Sequence, residues 1–268
     1  LSQGRVEDID FTSAIYTNLS HDHLDYHHSM QAYADAKAML FAMPTLKSAI
    51  INQDDAYSQQ MIEKLNSTCQ KLTYGLQDHC NVRAVDWQIS MLGSQMDIIS
   101  PWGLHHVRVN LLGKFNIYNS LAVYASLLAQ GIPVAHVVDV MGKLQASPGR
   151  MEVVAQKPCV IVDYAHTPDA LENVLTTLQQ LKQGRLGVVF GCGGDRDKTK
   201  RPIMGRIASQ YADFAIVTSD NPRTEDPLKI VEEVAQGFLP ATQLLKIVNR
   251  EEAIQYALDM AHPQDIIL

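Results

Sequence analysis

The period of apolar positions changes along the chain, and each change predicts an element. Residues 13–18, Ser-Ala-Ile-Tyr-Thr-Asn, read as a short strand. Over 30–43, Tyr33, Ala36, Leu40 and Phe41 recur at the three- and four-residue spacing of an amphipathic helix. Residues 47–52 form a short strand pattern that runs into Asp54-Asp55. From 72 to 110 the segments are short and β-like, with turn signals at Asp78 and at Pro101-Trp102-Gly103. Residues 113–130 begin as a loop and become an alanine- and leucine-rich helix. Gly131-Ile132-Pro133 stops that helix, and 134–144 predict another.

After a hinge-like Ala146-Ser147-Pro148-Gly149-Arg150, the rhythm becomes a strict alternation of strand and helix. Strands are predicted over 159–163, 186–190, 214–218 and 244–248. Helices are predicted over 168–182, 202–211, 227–238 and 251–260. This is the pattern of an α/β, doubly wound parallel sheet. A boundary near residue 152 divides the chain into 1–152 and 153–268. The chain opens on Leu1 in mid-pattern and ends on Asp265-Ile266-Ile267-Leu268, the beginning of a strand, so a longer protein is expected.

Composition narrows the function. The 268 residues carry a formal net charge of -7 and are 46% hydrophobic, an ordinary globular balance. The acidity argues against a nucleic-acid partner, which favours a basic patch. No run of about 18 apolar residues is present, so no membrane span is expected. Cys69, Cys80, Cys159 and Cys192 are scattered without metal-like spacing, which suits reduced thiols in a cytoplasm.

Five segments carry candidate chemistry. Histidines and aspartates crowd residues 18–28, suggesting a divalent metal or phosphates, or else a polar loop with satisfied side chains. Lys37 lies on the apolar-patterned helix just beyond. Partial burial favours a neutral amine, which carbon dioxide can convert to a carbamate; a surface lysine with an apolar stem is the simpler reading of the spacing. Asn116 and Asn119 stand three apart at a helix start, where both amides can face one ligand such as adenine, or simply cap the helix. Residues 191–202, Gly-Cys-Gly-Gly-Asp-Arg-Asp-Lys-Thr-Lys-Arg-Pro, join glycines to basic residues between a strand and a helix, a setting for an anion or else a flexible solvated loop. They fit neither a P-loop nor a GxGxxG fingerprint. Asp163 to Asp169 and Asp220-Asn221-Pro222-Arg223 also follow predicted strands, so three loaded loops should share the carboxyl rim of one sheet. There Asp220 can pair with an ammonium and Arg223 can fork onto a carboxylate, as a zwitterion requires, or the segment is an Asn-Pro turn with an incidental surface ion pair. Arg150, at the hinge, is placed to reach the same rim.

Together these segments resemble the Mur ligases of peptidoglycan synthesis. The resemblance rests on Thr17-Asn18-Leu19-Ser20 with Asp22-His23-Leu24-Asp25-Tyr26-His27, on Ala36-Lys37, on 113–119, and on Gly149-Arg150-Met151-Glu152. Residues 163–169, 191–202 and Asp220 to Arg223 complete it, in order and over essentially the whole chain. It implies the later part of a central ATPase domain followed by most of a Rossmann-like domain that binds the incoming amino acid. The family's P-loop is expected upstream of Leu1 and a Gly-Lys-Gly-His-Glu segment beyond Leu268, so this piece alone is not expected to turn over.

The implied activity is that of an ATP-dependent acid–amino-acid ligase, cytoplasmic and monomeric, using ATP and Mg²⁺. Its implied substrates are UDP-N-acetylmuramoyl-L-alanyl-D-glutamate and meso-2,6-diaminopimelate. By the same resemblance His23 is a metal ligand, and Lys37, as its carbamate, is both a metal ligand and a catalytic residue. Asn116, Asn119, Arg150 and Asp163 contact the nucleotide, and His166 lies beside the reaction centre. Gln3 and Arg5 touch the muramoyl dipeptide. Arg196, Asp220, Asn221 and Arg223 hold diaminopimelate. A lysine-adding Mur ligase, a folylpolyglutamate synthase-like ligase, an inactive binding fragment and a metal hydrolase built on His21 to His28 are the competing readings.

Overall fold

Strand β1 (Ser13–Tyr16) lies parallel to β2 (Ser48–Asn52) in a computed structural model that describes residues 1–6, 8–20 and 24–268. Every residue of β2 is buried, so both its faces need cover. Ala49 and Ile51 join a core with Ala14, Tyr16, Ala34 and Phe41. Ile50 points the other way, into a core with Tyr74, Val82, Ile117 and Leu121. The first core is covered by α2 (Met30–Phe41), which follows the single turn α1 (Leu24–His27). After α3 (Ser58–Ile62), strand β3 (Gln70–Gly75) adds in parallel, and β4 (Val82–Ser90) follows it in parallel. Strands β5 (Gly93–Ser100) and β6 (Gly103–Val109) then run antiparallel. Helices α4 (Lys114–Ala129) and α5 (Val134–Met141) cover the second core.

The next sheet is built by β7 (Glu152–Gln156), β8 (Cys159–Val162), α6 (Pro168–Leu181), β9 (Leu186–Phe190), α7 (Lys200–Tyr211) and β10 (Phe214–Val217). It is completed by α8 (Pro227–Ala235), β11 (Gln243–Lys246), α9 (Arg250–Asp259) and β12 (Ile266–Ile267). Strand order is β11-β10-β9-β12-β8-β7. Thr167, Asp226 and Asn249 cap α6, α8 and α9 with their side chains, and proline opens the first two. Strand β12 lies in the middle of the sheet, parallel to β8 and to β9.

The chain divides into two units, Leu1–Gln145 and Ala146–Leu268. Three expectations change. The second sheet is not wholly parallel, because the unpredicted β7 runs antiparallel to β8 at its edge. Residues 72–110 hold strands of nine, eight and seven residues rather than short segments. A shift in pairing between Val85 and Gln88, with Asp86 at φ 48°, breaks the alternation that would have revealed them. Helix α7 starts at Lys200, two residues before the proline expected to open it. Among the described residues, no helix is long and apolar enough to cross a membrane.

Candidate functional site

In the second unit, loops leave the carboxyl ends of β8, β9 and β10, where an open parallel sheet offers a ligand-binding rim. The β9 and β10 loops interlock. The Gly194 N–H donates to the Asn221 carbonyl at 2.8 Å, and Arg223 Nη1 donates back to the Gly194 carbonyl. A Cβ at Gly194 would stand 1.9 Å from the Pro222 oxygen, so only glycine permits this approach. The Thr224 hydroxyl and N–H donate to the Asp195 carboxylate at 2.7 and 3.2 Å, and the Asp195 N–H donates to Glu225 at 2.7 Å. Asp195 and Arg223 both adopt left-handed backbone conformations, φ 52° and 48°. Such strain persists where surrounding contacts over-determine it.

Beneath this junction lies Arg201, fully buried. Its two Nη atoms donate to Glu225 at 3.0 and 2.8 Å, and Nη1 also reaches Glu233 at 2.6 Å. Lys198 adds a further ion pair to Glu225 at 2.9 Å. Arg201, then Lys198 and the Asp195 N–H, hold the Glu225 carboxyl far below the usual carboxylate range. The buried Nε of Arg201 has no hydrogen-bond partner among the described residues. On these interlocked loops, Arg196, Asp220, Asn221 and Arg223 are exposed.

The β8 loop forms a second group. Asp163 accepts from the Met151 N–H at 2.8 Å. Burial pushes its carboxyl above the ordinary range, against the pull of two backbone N–H groups and Arg150. The Arg150 guanidinium lies over the Tyr164 ring at 4.9 Å, and that ring meets His166 edge-on at 5.3 Å. Lys200 Nζ donates to the His166 carbonyl at 2.8 Å, tying this loop to the start of α7. Arg150, Asp163 and His166 therefore come together.

In the first unit, Lys37 Nζ lies 5.1 Å from the centre of the Tyr33 ring, on which His27 stacks at 4.8 Å. Burial lowers the Lys37 pKa, while the charge of Asp55 opposes that shift. Asp55 is itself anchored by the Tyr16 hydroxyl at 2.6 Å and by the Tyr57 and Leu19 N–H groups at 2.9 and 3.1 Å. On α4 the two asparagine amides, expected to face a ligand side by side, bond to each other: Asn119 donates to Asn116 at 3.0 Å. Asn116 is buried and also donates to the Leu112 carbonyl at 2.7 Å, which leaves exposed Asn119 as the more accessible amide. Tyr118, between them, donates to Asp54 at 2.9 Å.

Gln3 and Arg5 are exposed on a turn around Gly4, and no contact joins them to the other candidates among the described residues. His23, with His21 and Asp22, lies outside the described residues. Sequence reasoning passed over Glu225, Asp195 and Arg201 as partners. The available signal was charge complementarity: a glutamate two positions past Arg223, facing a loop rich in Lys198, Lys200 and Arg201.

Comparison with known proteins gives this geometry a family. Residues 1–127 match the Mur ligase middle domain, and residues 149–268 match the Mur ligase, glutamate ligase domain. The UDP-N-acetylmuramoyl-L-alanyl-D-glutamate--2,6-diaminopimelate ligase of Neisseria meningitidis serogroup B is 45% identical over 275 residues, covering 100% of this chain and 56% of the relative. A solved structure of a ligase with that name aligns at TM-score 0.68 and 41% identity, over 99% of this chain and 56% of the other. Folylpolyglutamate synthase of Mycobacterium tuberculosis, complexed with ADP, aligns at TM-score 0.80 and 21% identity over 97% of this chain and 61% of its own, a likeness of fold alone. The chain thus spans about half the length of the curated relatives it matches. With a Mur ligase domain matched in each of its two units and a close relative aligned along its whole length, the chain belongs to the Mur ligase family.

Proposed function

We propose that the protein is an ATP-dependent ligase that adds meso-diaminopimelate to UDP-N-acetylmuramoyl-L-alanyl-D-glutamate in peptidoglycan synthesis. Residues 1–152 would belong to its central ATP-binding domain and 153–268 to its amino-acid-binding domain. The observation that carries the reading is the interlocked rim that presents Asp220, Asn221 and Arg223 beside Arg196. Diaminopimelate has two ammonium–carboxylate ends. Arg223 has the fork to take the distal carboxylate, and Asp220 the charge to take an ammonium. Lysine lacks that distal carboxylate, so the same rim discriminates against it. The names of these relatives support the amino acid.

The proposed chemistry is amide formation by activation. The D-glutamyl carboxylate attacks the γ-phosphate of ATP, the bond to the β,γ-bridging oxygen breaks, and ADP departs, leaving an acyl phosphate. The diaminopimelate amine then adds to the acyl carbon, loses its proton, and phosphate departs. His166, on the β8 loop with Asp163 and near Arg150, is assigned to the neighbourhood of that reaction. Asn119, supported by Asn116, is assigned to adenine. The donors present suit a hard cation: an amine held toward neutrality by burial, as at Lys37, can carry carbamate oxygens, and His23 is the second assigned ligand. Magnesium bound there would offset the charge that builds on phosphoryl oxygens. Gln3 and Arg5 are assigned to the muramoyl dipeptide. We place the enzyme in the cytoplasm as a monomer.

Competition between amino acids tests the reading. The full-length enzyme, given ATP and the UDP-muramoyl dipeptide, should incorporate diaminopimelate in strong preference to lysine. Equal incorporation of the two would refute the specificity, and no ATP-dependent incorporation of either would refute the activity.

A further inference from the structure

Along the chain the cysteines show no metal-like spacing, yet the fold gathers one of them with a histidine and a carboxylate. Asp54 follows β2, while His79 and Cys80 lie in the loop between β3 and β4. Cys80 Sγ is 3.6 Å from Asp54 Oδ1, and His79 Nε2 is 3.8 Å from the same oxygen. All three donor atoms lie within 4.8 Å of one another. Ligands held at about 2.0–2.3 Å around a tetrahedral zinc ion stand roughly 3.3–3.7 Å apart, so little movement separates this arrangement from a formed site.

The carboxylate is also held from behind. Its Oδ2 accepts from the Leu76 N–H at 2.7 Å and from the Tyr118 hydroxyl at 2.9 Å. Bonds of that kind orient a metal-binding carboxylate. Gly75 makes room for it, since a Cβ there would lie 2.6 Å from Oδ2. Cys80 is buried, whereas the His79 side chain is 54% exposed, so one side of the cluster meets solvent.

We propose that Asp54, His79 and Cys80 form a Zn²⁺ site whose fourth ligand is water. Thiolate and imidazole select a borderline-soft transition metal, while Mg²⁺ favours oxygen ligands. The site is therefore chemically distinct from the magnesium centre assigned to Lys37. Coordination sends the Cys80 thiol proton to solvent. The bound ion staples the β3–β4 loop to the end of β2. Through Tyr118 it also braces the helix that carries Asn116 and Asn119. The simpler account is a thiol and an imidazole turned to one carboxylate with no ion between them.

Cobalt titration separates the two accounts. Reduced full-length protein, stripped of metal with EDTA, is titrated with Co²⁺ as the spectroscopic stand-in for Zn²⁺. One equivalent should bind with a thiolate-to-cobalt charge-transfer band and the intense visible bands of a tetrahedral ion, all abolished by one equivalent of Zn²⁺. Cys80→Ser should remove the charge-transfer band. His79→Ala, at an exposed side chain, should weaken Co²⁺ binding at least about tenfold. Cys69→Ser should change neither. Absence of the band, its survival in Cys80→Ser, or Co²⁺ affinity unaltered by His79→Ala overturns the site.

Discussion

Arg223 combines two unusual properties, a left-handed backbone at φ 48° and a guanidinium that donates to the Gly194 carbonyl. The side chain is thereby aimed before any ligand arrives. Arg223→Ala in the full-length enzyme should raise KM for diaminopimelate by losing a charge-assisted contact worth about 1.5–3 kcal/mol, roughly 10- to 150-fold. Arg223→Lys should move KM the same way, because an ammonium cannot fork. Arg223→Gly relaxes the backbone while removing the contact, so KM should rise with no fall in Tm. An unchanged KM in all three variants refutes the clamp. At Lys37 the expected result is chemical rescue. Lys37→Ala should lose activity, and acetate or another short carboxylate should restore part of it; full activity without rescue removes the carbamate. The tendency of Lys37 to be half-buried was legible in helical spacing, since Tyr33, Ala36, Leu40 and Phe41 surround it. The role of Asp54 was not, because its partners Leu76 and Tyr118 lie 22 and 64 positions away.

At the scale of elements, the β9 and β10 loops behave as one strap fastened by Arg201. Arg201→Ala leaves Glu225 and Glu233 without the buried cation that joins them. The expected cost is roughly 3 kcal/mol, the low end for breaking a buried pair, because Glu233 is 36% exposed and keeps water. The diagnostic readout is kinetic. KM for diaminopimelate should rise several-fold while KM for ATP stays close to wild type, since the strap carries Asn221 and Arg223 but not α4. Equal changes in both constants would mean that Arg201 only supports the fold. The helices and inner strands of this region were legible because their apolar periods are unbroken and proline marks two helix starts. The edge strand β7 was not, since four of its five residues are exposed and its pairing comes from β8 rather than from its own pattern. Helix α3 has five residues, too few to display a period.

Across the whole molecule, each unit carries its own core. Strand β12 fills the centre of its sheet, with the Leu268 carbonyl accepting from Val189 at 2.7 Å. Asp265 fixes its entry. This buried carboxylate accepts from Arg185 Nη2 at 2.7 Å, Nε at 3.1 Å and N–H at 2.7 Å, and from the His262 N–H at 2.9 Å. Burial alone would raise its pKa, but the His262 N–H and the Arg185 contacts outweigh it and hold the carboxyl below the ordinary range. A carboxyl depressed by folding stabilises the native state above its unfolded pKa of about 3.9, and that contribution disappears as pH falls through the folded value. Asp265→Asn should therefore cost about 2 kcal/mol at neutral pH, and its difference from wild type should shrink below about pH 4. Hydrogen exchange locates the damage. Amides of β8, β9 and β12 should exchange faster in the variant, while those of β2 and β3 keep wild-type rates, because among the described residues Asp265 bonds within its own unit. Equal acceleration of β2 and β3 would mean that the two units unfold as one, and the proposed division into separate domains would fall with it.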